Sequence, residues 1–340
     1  MKIINKSLAG VLLSTIAYTA QAEIVTTVKP IGFIAAAVAE GVTSTGVLLP
    51  TGASPHDYSL RPSDLQRLQQ AELVVWVGQD LESFLSKSIG RLDANKVLQI
   101  EKMENIQSLL GEAMHVHAEG EDHHDHDHGH DHKHDHKDDH KHDHAHDGPP
   151  GHDDDHHEHD HDHDHGGLQT DWHVWFSPTI SLQIAEQIAE RLNGQYPAKA
   201  ELIKTNLATF KQSLEQKEKQ LQAQLDPIKG KGYYVFHDAY GYFERQYGLN
   251  HLGSFTINPA VAPGAKTLNE IKANIDAHKA QCLFAEPQFT PRLLETLHKS
   301  TGVKLGVIDP MGGEIAVGKT AYTDYLQSIA DSFTQCLADK

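Results

Sequence analysis

Between residues 23 and 110, apolar side chains come in short unbroken runs that alternate with segments of helical spacing. "EIVTTV", "STGVLLP", "LVVWVG" and "KVLQI" read as buried strands, with helices over "PIGFIAAAVAEG", "PSDLQRLQQA" and the region of "LESFLSKSI". The strand runs lack a period of two, so both of their faces must be covered. Strict strand–helix alternation of this kind predicts a parallel sheet with helices on each side. Further on, "SPTISLQIAEQIAERLNG" carries apolar residues at helical spacing and ends in glycine, a common helix stop. Residues 197–227, with proline at 197 and 227, predict one long helix of roughly 45 Å, more than a single lobe needs; a rigid spacer is its simplest role. The alternation then resumes through "GYYVF", "LNHLGSFTI", "QCLFAE" and "KLGVID", with helices between these strands and a last one from Ala321. The pattern is α/β: strand–helix lobe, long helix, strand–helix lobe.

Two segments fit neither period. Residues 111–167 hold 19 acidic residues against three lysines, a net charge of −16, and His115 to His165 supply 21 of the chain's 27 histidines. Such a run has no apolar surface to offset the entropy of ordering it, so it is expected to be a disordered loop. Residues 1–22, "MKIINKSLAGVLLSTIAYTAQA", carry Lys2 and Lys6, an apolar stretch too short to span a bilayer and a small-x-small ending. They read as a signal peptide cut after Ala22, which sends the chain to the periplasm. The expected organisation is therefore a signal peptide over 1–22, an N-terminal lobe over 23–196 interrupted by the 111–167 loop, a linker helix over 197–227 and a C-terminal lobe over 228–340.

Outside the loop the chain is only mildly acidic, and no basic stripe argues for nucleic acid. The two cysteines, Cys282 and Cys336, favour a disulfide in an exported chain over a metal site or redox pair. Two buried free thiols are the alternative, which thiol titration under denaturing conditions distinguishes.

In open α/β sheets, ligands bind beyond the carboxyl ends of the strands. His56, in "GASPHDYSLRPSD", and His237, in "FHDAYGYFE", follow strands; Glu286 and Asp309 do so as well, in "FAEPQF" and "DPMG". His173, in "DWHVWFSP", lies where the backbone must turn before Pro178. His251, His278 and His298 do not meet this positional test. Three imidazoles plus a carboxylate or water suit Zn²⁺, whereas Mn²⁺ leans toward more carboxylate. Asp57, Asp171 and Asp238 flank the three histidines and are candidates to fix their tautomers.

Those motifs, in that order, resemble the metal-binding solute receptors of bacterial ABC importers, and more narrowly their zinc-uptake branch, over essentially the whole chain after residue 22. The resemblance implies two (β/α)₄-type lobes with parallel sheets, a long rigid helix joining them and a metal cleft between them, with Zn²⁺ as cargo held by His56, His173 and His237. The histidine of "FHDAY" favours zinc over manganese. Zinc receptors often carry a glutamate just before the first histidine, where this chain has Pro55. The fourth ligand is then Asp309, by similarity to an aspartate used elsewhere in the group, or water, with a loop group as a further option. The resemblance also implies a Cys282–Cys336 disulfide, an inner-membrane permease with its ATPase as partners, periplasmic zinc chaperones as further ones, and a monomer.

His123, His124, His126, His128, His130, His132, His134, His136, His140, His142, His144 and His146 are candidates for weak auxiliary zinc sites, because each binding event must order the loop. Protonating the loop's histidines reverses the sign of its charge, so acid should strip its metal. A metal buffer, with the lobes as mere carriers, and a zinc hydrolase are rival readings. No H-E-x-x-H motif or comparable base supports the second, and ligands drawn from both lobes suit clamping better than chemistry.

Overall fold

A computed structural model of the chain describes residues 23–111, 170–256, 263–289 and 292–338. The expected signal peptide and nearly all of the His-rich loop, with its twelve named histidines, lie outside the described residues.

The N-terminal half runs β1 (Glu23–Thr26), α1 (Lys29–Ala39), β2 (Ser44–Val47), α2 (Pro62–Gln70), β3 (Leu73–Trp76), α3 (Ser86–Ile89) and β4 (Val97–Gln99). These strands form a parallel sheet in the order β2-β1-β3-β4. Every residue of β3 is buried, as the unbroken apolar run predicts. The "LESFLSKSI" segment gives only a 3₁₀ turn over Ser83–Leu85 and the single turn of α3. Its three serines compete with the helix for backbone hydrogen bonds, which limits its length.

Next come α4 (Pro178–Gln195) and α5 (Ala200–Leu225). Ser177 caps α4 by accepting a hydrogen bond from the Ile180 amide, with proline in the first turn where its missing N–H costs nothing. The long helix is 26 residues, flanked by 3₁₀ turns at Pro197–Lys199 and Asp226–Ile228.

The second half contains β5 (Gly232–His237), α6 (Gly241–Tyr247), β6 (His251–Thr256), α7 (Ala265–Asp276), β7 (Ala280–Ala285), α8 (Arg292–Thr301), β8 (Lys304–Val307) and α9 (Ala321–Leu337). Its sheet repeats the first, parallel in the order β6-β5-β7-β8. Gly248 ends α6 with φ of 65°, a left-handed cap that glycine adopts without a Cβ clash. The chain turns there directly into β6, which returns His251 to the vicinity of α6.

One apolar core links the two halves. It takes most of α1, the inward stripes of α4 and α5, and nearly one whole face of α9. Phe33 of α1 meets Tyr325 of α9 with ring centres 5.8 Å apart, and Phe176 meets both Tyr240 and Tyr325. The C-terminal helix thus packs on the N-terminal half, and α5 is part of this core rather than a bare spacer. The Cys282–Cys336 disulfide ties β7 to α9. Among the described residues, no helix is long and apolar enough to cross a membrane.

Candidate metal centre

His237 is the last residue of β5, the strand from which the second sheet's order runs outward both ways. Such a switch point leaves a crevice at the strands' carboxyl ends. Glu286 follows the neighbouring β7, His56 lies in the loop after β2, and His173 immediately precedes a 3₁₀ turn over Val174–Phe176. From these separate elements three imidazoles converge. His173 Nε2 lies 3.2 Å from His56 Nε2 and 3.4 Å from His237 Nε2, and the three candidate ligand atoms all fall within 4.8 Å of one another. Zn–N bonds of about 2.0–2.1 Å place two tetrahedral nitrogens about 3.3–3.4 Å apart. The observed separations match that tetrahedral edge.

The opposite ring nitrogens explain how these are presented as lone pairs. Asp171 Oδ1 sits 2.9 Å from His173 Nδ1 and also accepts the His173 amide; Glu286 Oε1 sits 2.6 Å from His237 Nδ1. A carboxylate on Nδ1 holds the proton there and leaves Nε2 free for a metal. Asp171 and Glu286 are buried, at 4% and 3% exposure, so these contacts are sheltered from water. Burial first, then the neighbouring rings of His173 and His237, pushes the His56 pKa down to about 2. His56 is therefore held neutral and ready to coordinate.

Pro55, Trp175, Phe289, Pro310 and Met311 help to wall the site. The free space among them is about 10 Å³, room for roughly one water or ion. A bare cation needs no more.

Of the flanking aspartates, Asp171 orients its histidine, while Asp57 is exposed and Asp238 turns to a different cluster. Glu286 met the positional test, but its pairing with His237 depends on β5 and β7 being neighbours, an adjacency invisible in the sequence. Asp309 lies outside the 4.8 Å group. Its Oδ1 accepts from Gln288 Nε2 at 2.7 Å and the Met311 amide at 3.0 Å, and its Oδ2 accepts from the Gly313 amide. Of the histidines set aside, His298 donates through Nδ1 to the Val303 carbonyl and His278 occupies a left-handed turn at φ 57°.

A protein-family model described as "ZnuA: Zinc-uptake complex component A periplasmic" matches residues 24–336. The chain belongs to the ZnuA family. That family consists of zinc-uptake components rather than enzymes. The high-affinity zinc uptake system protein ZnuA of Haemophilus ducreyi is 54% identical over 333 residues, covering 98% of this chain and 99% of that protein. The protein of the same name from Haemophilus influenzae is 51% identical over 337 residues, with 99% of both chains covered. A crystal structure of ZnuA superimposes with a TM-score of 0.69 at 20% identity, over 94% of this chain and all of that one, which shows the shared fold. Zinc binding is thus a property of the family, and the three-histidine cluster offers donors that suit it.

Proposed function

We propose that this chain captures Zn²⁺ in the periplasm on His56, His173 and His237 and delivers it to an ABC permease and its ATPase for import. The observation that carries this reading is the pair of Nε2 separations, 3.2 and 3.4 Å, backed by carboxylates on two of the three Nδ1 atoms. Water takes the fourth position in preference to Asp309, whose oxygens already hold the 309–313 turn together. Residues 1–22 act as the export signal, cut after Ala22. The histidines from His123 to His146 add weak, exchanging sites that raise zinc concentration near the tight one or report its level; periplasmic zinc chaperones are further partners, and the receptor works as a monomer.

Calorimetric zinc titration tests this. Replacing His56, His173 and His237 together with alanine should abolish the tightest binding step and leave the weak loop sites; survival of that step at its original affinity contradicts the assignment. Deleting residues 115–165 should do the reverse and preserve the tight step. Zinc bound by the loop should also fall between pH 7.5 and pH 5, and an unchanged stoichiometry would argue against its histidines.

A further inference from the structure

Behind the three-histidine site lies a second group of ligand-type side chains. Asp238 directly follows His237, Glu244 projects from α6 and His251 opens β6; one ligand atom from each lies within 4.8 Å of the others. All three side chains are more than nine-tenths buried: Asp238 and Glu244 are 5% and 4% exposed as residues, and the His251 side chain is 3% exposed. Buried polar atoms are nearly always satisfied. Here Asp238 Oδ2, Glu244 Oε2 and both His251 ring nitrogens close no hydrogen bond, although His251 Nδ1 approaches Glu244 Oε2 to 3.0 Å. A buried Asp238 oxygen with no partner, beside a His251–Glu244 contact that closes no hydrogen bond, describes a cage with room for a ligand the protein itself does not supply.

The surroundings hold this cage in shape. Tyr233 donates its hydroxyl to the other Glu244 oxygen at 2.9 Å, as outer partners of ligating carboxylates do. Its ring also stacks on His251, at 14° and 5.7 Å between centres, which fixes the imidazole plane. The three side chains come from a strand end, a helix and a strand start, all rigid parts of the scaffold.

We infer that Asp238, Glu244 and His251 form a second, internal site for a divalent transition ion, Zn²⁺ foremost. Two carboxylates and a neutral imidazole carry a charge of −2, which one dication neutralises. One nitrogen and two oxygens are donors that Zn²⁺ accepts, with water or the second Asp238 oxygen completing four ligands. A protonated His251, which the Glu244 carboxylate and the Gly253 backbone favour against the pull of burial, is the competing occupant; it leaves one carboxylate charge unbalanced. The site shares no residue with the three-histidine cluster and owes nothing to the His-rich loop, so it stands or falls separately from the transport reading.

Crystals of the full chain grown with excess zinc, measured on both sides of the zinc absorption edge, test the inference. The expected result is an anomalous peak about 2.0–2.2 Å from a His251 ring nitrogen and carboxylate oxygens, beside the peak at the three histidines. A filled first site with no peak at the second overturns it. In solution, the number of zinc ions retained against a chelator strong enough to empty the loop should fall by one in His251→Ala and equally in Glu244→Gln. The second variant keeps the side chain's shape in case the first misfolds. Unchanged retention in a folded variant also overturns the inference.

Discussion

Glu82 is fully buried, with one oxygen accepting the Val77 amide at 2.9 Å. Burial raises its pKa from 4.5 to about 7 against the pull of hydrogen bonds from the Thr27 side chain and the Val77 and Gly78 backbone. The folded state therefore takes up a proton that the unfolded state gives away. The stability gained is complete below pH 4.5 and is lost as pH rises through 7. Glu82→Gln should remove this slope and raise stability at pH 8 by about 1–3 kcal/mol, read from denaturant unfolding at several pH values; a parallel pH profile in the variant would contradict it. At the metal centre the carboxylates behind the rings matter most. Asp171→Asn and Glu286→Gln should each weaken zinc binding about 10- to 100-fold, while Asp57→Asn, at an exposed position, should leave calorimetric affinity unchanged. Sequence position named His56, His173 and His237, three residues from separate elements whose ring nitrogens the structure brings together. It could not say which carboxylate serves which ring. Asp171 reaches His173 from two residues away, but Glu286 reaches His237 across 49, and only strand order joins them. His251 failed the positional test because it starts a strand; its partners reach it through the turn at Gly248.

Among the elements, α9 carries more than its place at the chain's end suggests. Phe333 is fully buried, with its ring 5.0 Å from Tyr233, 5.1 Å from Phe284 and 5.8 Å from Phe243. Phe333→Ala should cost about 3–5 kcal/mol, whereas Leu202→Ala, at a site 39% exposed on α5, should stay within about 0.5 kcal/mol; equal losses would mean α9 is not central to the core. The disulfide closes a loop of 54 residues between β7 and α9, and replacing both cysteines with serine should lower stability by about 4 kcal/mol in the chain-entropy account. All eight strands and the long helices were legible from unbroken apolar runs and helical spacing. The α3 region was not, since three serines there hold the chain to a single turn. Nor could spacing along the chain reveal that α9 crosses back to pack on α1, because that contact joins residues nearly 300 positions apart.

At the scale of the molecule, the site draws on both halves of a shared core. His56 and His173 belong to the first and His237 to the second, and Lys29 at the start of α1 donates to the Gly313 carbonyl from across the chain. A cation bound by all three histidines would bridge the two halves. The most direct test is diffraction at the zinc edge from crystals of the full chain given one equivalent of zinc. The expected result is a single strong peak about 2.0–2.1 Å from Nε2 of His56, His173 and His237. A peak elsewhere in the chain, with those three nitrogens left uncoordinated, would contradict the assignment.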